Sequence, residues 1–322
     1  MLKPLAQFIF AASLIALLAS QSAIAQDYPN KSIRLVVPYA PGGGTDVLAR
    51  NLAQKLSGSL KQTVTVDNKA GADGVIGTEM VAKAPGDGYT LLIASSSHAI
   101  NPTLYAKIPF DTVRDLSCIT QTASQQVILV VHPTLPVNSV RELVQYAKAN
   151  PNTLNFASPS KATQLPMELF NAMAGTRMTN IPYKGSGPAL TDQLAGRVQV
   201  GFGGAASVIP HIKSGKLRAL AIGDERRSSI MPDLPTVAEA GIPGFHAVVW
   251  TGLFTAAATP RPVVRRLNEE IIRIMNAPDF KKTLEAQGFD PVGNSPEACD
   301  AFIGSEIGKW AKVAKDAGIQ PE

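Results

Sequence analysis

Cysteine, histidine and charged residues are scarce in this sequence. Two cysteines in 322 residues exclude a disulfide-rich scaffold and argue against a structural zinc cluster. Charged residues make up 17% of the chain and hydrophobic residues 45%, a composition typical of a globular protein and not of a disordered one. The formal net charge of +5 comes without a clustered basic stripe, so we expect no nucleic-acid partner.

Long hydrophobic runs are also rare, and the single candidate lies near the N-terminus. The run Phe8–Leu18 follows Lys3 and precedes Ala23-Ile24-Ala25, the small-residue arrangement that signal peptidase recognises. We predict that residues 1–25 are a signal peptide cleaved after Ala25, with no stable membrane insertion afterwards. A membrane anchor is the alternative, but the run is short for a span. The 297 residues that remain of 322 predict two domains.

Signatures of catalytic sites are missing. The sequence contains no H-E-x-x-H, G-x-S-x-G, C-x-x-C or P-loop motif, and Gly42–Gly44 does not complete a dinucleotide fingerprint because Val47 occupies its last position. We therefore expect no enzyme activity, no metal and no cofactor. The enzymatic alternative is an exported hydrolase that uses Ser97 and His98, neighbours for which no third, orienting group is evident.

The two cysteines leave two interpretations open. Cys118 and Cys299 are far apart in the sequence. An exported protein could join them in a disulfide, whereas free cysteines also pack as small buried hydrophobic residues.

Short apolar segments alternate with helical segments along the rest of the chain. This alternation predicts an α/β fold with parallel sheets flanked by helices. The chain is expected to cross between two lobes near residues 124–126 and 248–250. Lobe one would then be discontinuous, comprising residues 26–125 and 250–322, and lobe two would comprise residues 126–249. Two crossing strands form a hinge, which allows the lobes to close around a ligand.

Small, polar, glycine-rich loops follow several of the predicted strands and precede helices. They are Pro41–Asp46, Ser95–His98, Ser158–Thr163, Tyr183–Gly187 and Gly203–Ser207. Thr45 or Asp46 is predicted to cap the first of these helices. Ligands of α/β sheets bind beyond the carboxyl ends of the strands, and helix N-termini supply N–H donors and partial positive charge. A carboxylate is therefore the ligand that these loops favour.

Several motifs resemble one known family over essentially the whole mature chain. They are Val37–Asp46, Asn68–Gly77, Ala84–Thr90, Asn101–Tyr105, Pro182–Gly185 and Pro210–Ala219. On these motifs the chain resembles the substrate-binding proteins of tripartite tricarboxylate transporters, also called Bug receptors. The resemblance implies a two-lobed, periplasmic-binding-protein-like fold of type II and a location in the periplasm.

The function that the resemblance implies is capture of a small organic anion, usually a carboxylate, in the cleft between the lobes. Membrane transporter subunits would be the partners that receive the ligand, and the receptor itself would be a monomer. A sensory receptor that signals to a membrane sensor protein is the alternative.

The resemblance also implies which residues bind the ligand. From lobe one they are Tyr39, Pro41, Gly42, Gly43, Gly44, Thr45, Asp46, Ser95, Ser96 and Ser97. From lobe two they are Ser158, Ser160, Thr163, Tyr183, Lys184, Gly185, Ser186, Gly187, Asp192 and Gly203. The segment that begins at Gly203 is smaller and less polar than is usual in the family, which would leave room for a bulkier or partly apolar ligand.

Overall fold

A computed structural model describes residues 28–159, 161–183, 186–228 and 230–321 of the chain. The predicted signal peptide lies outside these residues, as do three members of the predicted site, namely Ser160, Lys184 and Gly185. For Ser186 only the backbone is described.

The described chain alternates between strands and helices. The strands are β1 (Ile33–Val37), β2 (Val64–Asn68), β3 (Thr90–Ser95), β4 (Leu116–Val131), β5 (Asn155–Ser158), β6 (Thr179–Pro182), β7 (Val200–Gly204), β8 (Arg218–Ile222), β9 (Val248–Ala256) and β10 (Asp290–Pro291). The helices are α1 (Gly44–Leu60), α2 (Val75–Ala82), α3 (Ser97–Leu104), α4 (Val140–Ala149), α5 (Lys161–Ala174), α6 (Ser186–Leu194), α7 (Ala205–Lys213), α8 (Arg261–Met275), α9 (Pro278–Ala286) and α10 (Pro296–Asp316). A short 3₁₀ turn, Ala72–Gly74, precedes α2.

The strands form two sheets that share β4. In the first sheet β1 lies between β2 and β3, parallel to both, and β9 pairs antiparallel with β3 and β4. In the second sheet the far end of β4 pairs antiparallel with β7 and β8, and β5 lies parallel to β6 and β7. Apolar β-branched strands such as β1 are almost fully buried because helices cover both faces of a parallel sheet.

The two long strands β4 and β9 connect the lobes. Ser124, Gln125 and Gln126 of β4 pair with Trp250, Val249 and Val248 of β9. The predicted lobe boundaries fall within this paired stretch, and they stay a prediction. The two-lobed α/β architecture itself is as expected from the sequence.

Cys118 and Cys299 form a disulfide, with their Cα atoms 5.8 Å apart. It joins β4 to α10, and both half-cystines are fully buried. The open question left by the sequence is thereby answered in favour of a cross-link.

Within the described ranges, no helix combines the length and the apolar character that a membrane crossing requires.

A buried carboxylate anchors the C-terminal helix to the hinge. Glu306 of α10 is 5% exposed, and its Oε2 accepts hydrogen bonds from the indole nitrogens of Trp250 and Trp310, each at 3.0 Å. Lys309 donates to the other carboxylate oxygen at 3.0 Å. Trp310 also belongs to a core cluster made largely of lobe-two residues, so α10 packs against both lobes.

Replacing this carboxylate is expected to destabilise the hinge. Glu306→Ala leaves two buried indole N–H groups without an acceptor, so we expect a loss of roughly 2–5 kcal/mol in the free energy of unfolding. Glu306→Gln keeps one carbonyl acceptor and should recover part of that loss. Urea denaturation followed by tryptophan fluorescence measures both values. If Glu306→Ala and the wild type had equal free energies of unfolding, the hydrogen bonds from the two indoles would make no contribution to stability.

Candidate functional site

A cleft between the lobes contains two adjoining cavities of about 550 Å³ and 320 Å³. Both lie beyond the glycine-rich loops that the sequence singled out, and the hinge residues Gln125 and Val249 line both. Of the predicted site residues, those that line the cleft are Tyr39, Gly42, Gly43, Gly44, Thr45, Asp46, Ser95, Ser96, Ser97, Thr163 and Gly203. Facing loops from two lobes thus enclose a volume suited to a small molecule.

The lining of the cleft contains no basic side chain among the residues that the structure describes. The walls of the larger cavity are mainly apolar, with amides from Gln125, Gln193 and Gln287. Among the described lining residues, Asp46 and Asp73 of the smaller cavity are the acids. An anion in this cleft would therefore depend on backbone N–H groups and hydroxyls.

The N-terminus of α1 opens onto the cleft without a side-chain cap. Its N-cap is Gly43 in an extended conformation, and no side-chain cap is present among the residues that the structure describes. This corrects the expectation that Thr45 or Asp46 caps the helix. By contrast, Ser139 caps α4 by accepting from the Glu142 N–H, and Ser295 caps α10 by accepting from the Ala298 N–H. The unpaired donors of α1 are available to an anionic ligand.

Asp46 shapes the loop before α1. Its Oδ2 accepts from the Gly42 N–H at 2.9 Å and from Arg50 Nε at 3.0 Å, and its Oδ1 accepts from Asn68 Nδ2 at 2.9 Å. Gly42 has φ +87, a conformation that suits glycine. The carboxylate predicted to contact the ligand thus already holds four hydrogen bonds from its own surroundings, including one from Arg50 Nη2 at 3.0 Å.

The charge of Asp46 should make the stability of this loop depend on pH. Burial works to raise the pKa of Asp46, but hydrogen bonds from Arg50, the Gly42 N–H and Asn68 outweigh it and hold the pKa below its usual value. Because the folded pKa lies below the unfolded one, the charged form stabilises the fold above the unfolded pKa. That contribution is lost as the pH falls through the folded pKa.

The Asp46→Asn variant isolates this effect. We expect it to be less stable than the wild type by about 1–3 kcal/mol near neutral pH, with the difference shrinking as the pH approaches about 2. Chemical denaturation of both proteins across that range measures the difference. If the difference in unfolding free energy between the two proteins stayed constant down to the lowest pH, the role assigned to the carboxylate would be contradicted.

Serines after β3 form the wall beside α1. The Ser95 N–H and the Ser95 hydroxyl donate to the Tyr39 hydroxyl at 3.1 Å and 2.8 Å. Burial, the largest influence, raises the pKa of Tyr39, so its phenol stays protonated and neutral. Ser96 and Ser97 line the smaller cavity at the start of α3, whose N-terminus also has no side-chain cap.

The lobe-two wall contains Thr163 and the start of α7. Thr163 lines both cavities, and Gly204 is the N-cap of α7 with no side-chain cap. Gly203 permits close packing, because a Cβ there would lie 2.2 Å from Cγ1 of Val208. A second helix N-terminus therefore opens onto the larger cavity.

Other predicted residues of lobe two lie apart from the cavities. The Tyr183 hydroxyl donates to Asp192 Oδ2 at 3.0 Å, and Arg197 donates to Asp192 Oδ1 at 2.8 Å. The Ser158 hydroxyl donates to Asn180 at 2.6 Å. Gly187 of lobe two and Pro41 of lobe one also line neither cavity. A ligand contact by any of these residues stays a prediction.

Sequence reasoning missed several residues that line the cleft. Gln193 follows Asp192 on α6 and lines the larger cavity, while Phe289 and Gln125 line both cavities. Asp73 lines the smaller one, with φ +49 in a residue that is not glycine. That unusual backbone conformation could not be predicted from the residue type.

The Ser97–His98 pair does not show the geometry of a nucleophile and its base. The His98 ring is 4% exposed and packs against Phe254, with ring centroids 4.4 Å apart. Within the described chain, its buried Nε2 has no hydrogen-bond partner. Burial lowers the pKa of His98 to about 4, so the ring is neutral at pH 7.

Residues 48–319 match the family model described as the tripartite tricarboxylate transporter family receptor. The chain is also 40% identical to Protein BugT of Bordetella pertussis over 300 residues, which is 92% of each protein.

Solved structures of similar proteins share the fold. Rpa4515 of R. palustris, solved with adipate, has 34% identity and a TM-score of 0.82 over 92% of this chain and 100% of that one. The periplasmic binding protein BugD has 31% identity and a TM-score of 0.78 over 92% of this chain and 100% of its own. MatC from Rhodopseudomonas palustris, with bound malate, has 29% identity and a TM-score of 0.76 over 89% and 99%.

Proposed function

This chain belongs to the tripartite tricarboxylate transporter family of receptors, and from that premise we propose that it captures a small organic anion in its cleft and delivers it to membrane transporter subunits. The ligand would be bound through at least one carboxylate. Rpa4515 with adipate and MatC with malate, two relatives of this fold, support that class of ligand.

The observation that carries the proposal is the uncapped N-terminus of α1 at the junction of the two cavities. Gly44 lines both, and no basic side chain described in either lining competes for an anion. Backbone N–H donors fixed by the Asp46 network are preorganised, so they bind a carboxylate without being reordered. Ser96, Ser97 and Thr163 lie in the same lining and place further polar groups beside these donors.

A ligand screen tests this function. Thermal shift of the chain from Gln26 onward should respond to one or more mono-, di- or tricarboxylates, aromatic acids or amino acids, and calorimetry should then give the affinity. A ligand at a hundred times its dissociation constant should add about 2.7 kcal/mol of apparent stability. The matched primary amide of each hit, which lacks the charge, serves as the control. Equal binding of acid and amide would contradict anion capture.

Export and delivery are tested separately. We propose that the chain is a monomer in the periplasm, exported by a signal peptide cleaved after Ala25, so N-terminal sequencing of the periplasmic protein should begin at Gln26. Deleting its gene should abolish uptake of the radiolabelled ligand. Unchanged uptake with loss of a transcriptional response would favour a sensory receptor over a transport receptor.

A further inference from the structure

Gln193 lines the larger cavity, and its buried amide nitrogen is unpaired among the described residues. It lies on α6 and is 5% exposed. Its Nε2 has no hydrogen-bond partner in the part of the chain that the structure describes. The amide packs over Gly201, where a Cβ would lie 3.1 Å from Nε2, so the absent side chain at position 201 makes room for it.

A buried amide of this kind normally finds a partner, because an unpaired donor costs free energy. The Nε2 of Gln193 makes no hydrogen bond to any described residue, although an apolar side chain of similar size would fill the same space. Gln193 lines the larger cavity, so a modest rotation of its side chain would let this unpaired donor pair with a ligand there.

The charge distribution indicates which ligand group would pair with it. No charged side chain is described in the lining of the larger cavity, whose walls include Val127, Phe202 and Val249. A second carboxylate there would meet no full positive charge, only the partial charge at the start of α7. In the smaller cavity, the carboxylate of Asp73 would repel a second anion.

We propose that Gln193 determines specificity by hydrogen bonding to a neutral polar group, such as a carboxamide or hydroxyl, at the far end of a monocarboxylate with an apolar body. The carboxylate lies at the N-terminus of α1, the apolar body contacts the walls of the larger cavity, and the neutral group reaches the amide. This assignment rests on the proposed function and adds the chemical class of the ligand.

Three six-carbon acids test the assignment: hexanoate, adipate and the monoamide of adipate. Calorimetry on the wild type should show that the monoamide binds about tenfold or more tightly than hexanoate. Of these two acids, only the monoamide has an acceptor at its far end for the Nε2 of Gln193. In Gln193→Met, a substitution of similar size without a donor, that ratio should fall below about threefold while hexanoate binds as before. Gln145→Met, at an exposed site on α4, is the matched control and should keep the wild-type ratio.

The outcomes separate this assignment from the function on which it rests. Failure of all three acids to bind the wild type would overturn both. Binding with the same monoamide preference in Gln193→Met, or with no preference in the wild type, would overturn only the role of Gln193. If adipate bound more tightly than its monoamide, the larger cavity would accept a second anionic group at the far end of the ligand. That result would also overturn the assignment. The ligand-free Gln193→Met variant should have a denaturation midpoint equal to or higher than that of the wild type. If Gln193 had a purely structural role, the substitution would instead lower the midpoint.

Discussion

Gly43→Val is expected to weaken carboxylate binding by at least about 100-fold, because two charge-assisted hydrogen bonds from the α1 N-terminus would be obstructed. Gly43 has φ −76 and ψ 166, which a β-branched residue adopts without strain. A Cβ there has only the carbonyl oxygen of Ala40 nearby, at 3.9 Å. The new side chain would therefore obstruct the first-turn N–H groups without disturbing the fold, and calorimetry with the best ligand from the screen measures the loss.

Valine substitutions at the neighbouring Gly42 and Gly44 would give a less clear result, because they would also strain the fold. A Cβ at Gly44 would lie 3.1 Å from the ring of Phe289, and Gly42 has φ +87. The matched control is Gly58→Val, an exposed position in the same helix where a Cβ meets nothing within 4 Å. It should bind as the wild type does. If both valine variants kept full affinity, the anion would not be bound at the start of α1.

Removal of the disulfide should cause a large loss of stability. The bridge joins residues 181 positions apart, and closing so long a loop constrains the unfolded chain by about 5 kcal/mol in the chain-entropy model. We expect the double variant Cys118→Ala/Cys299→Ala to unfold with about 2–5 kcal/mol less free energy than the wild type. Denaturant titration under oxidising conditions measures this difference.

Two further observations should accompany that loss. Reductant should destabilise the wild type during unfolding and leave the double variant unchanged. Neither cysteine lines the cleft, so ligand affinity of the folded double variant should match the wild type. Equal unfolding free energies of the two proteins would contradict a stabilising role for the bridge.

The fold could be predicted from sequence because its signals are local. Apolar β-branched segments such as Ile33–Val37 alternate with helical segments, and glycine loops separate them. The motifs resembled the family that the comparisons then confirmed. Ser139 and Ser295, of a residue type that favours helix N-caps, cap α4 and α10. The pairing of Cys118 with Cys299 could not be derived, since sequence separation does not fix distance in space.

The candidate site could be predicted only in part. Loops at strand ends were identified, since glycine and serine mark them, and most of the lobe-one residues named from them line the cleft. Residues whose type carries no such signal were missed, among them Phe289 and Gln125. Asp192 was expected from the resemblance to contact the ligand, but it pairs with Arg197, and the neighbouring Gln193 of α6 lines the cavity instead. Which side of a helix faces a cleft depends on packing, which sequence alone does not give.

Capture of an anion by main-chain donors is tested most directly by following the amide groups themselves. Protein labelled with ¹⁵N-glycine can be titrated by NMR with the carboxylate that binds best in the screen, alongside its primary amide. We expect the carboxylate to shift the amide resonances of Gly43 and Gly44 strongly, with Gly58 and Gly304 unmoved, and the primary amide to shift none of them. Saturable binding by calorimetry with no movement of Gly43 or Gly44 would contradict the central claim.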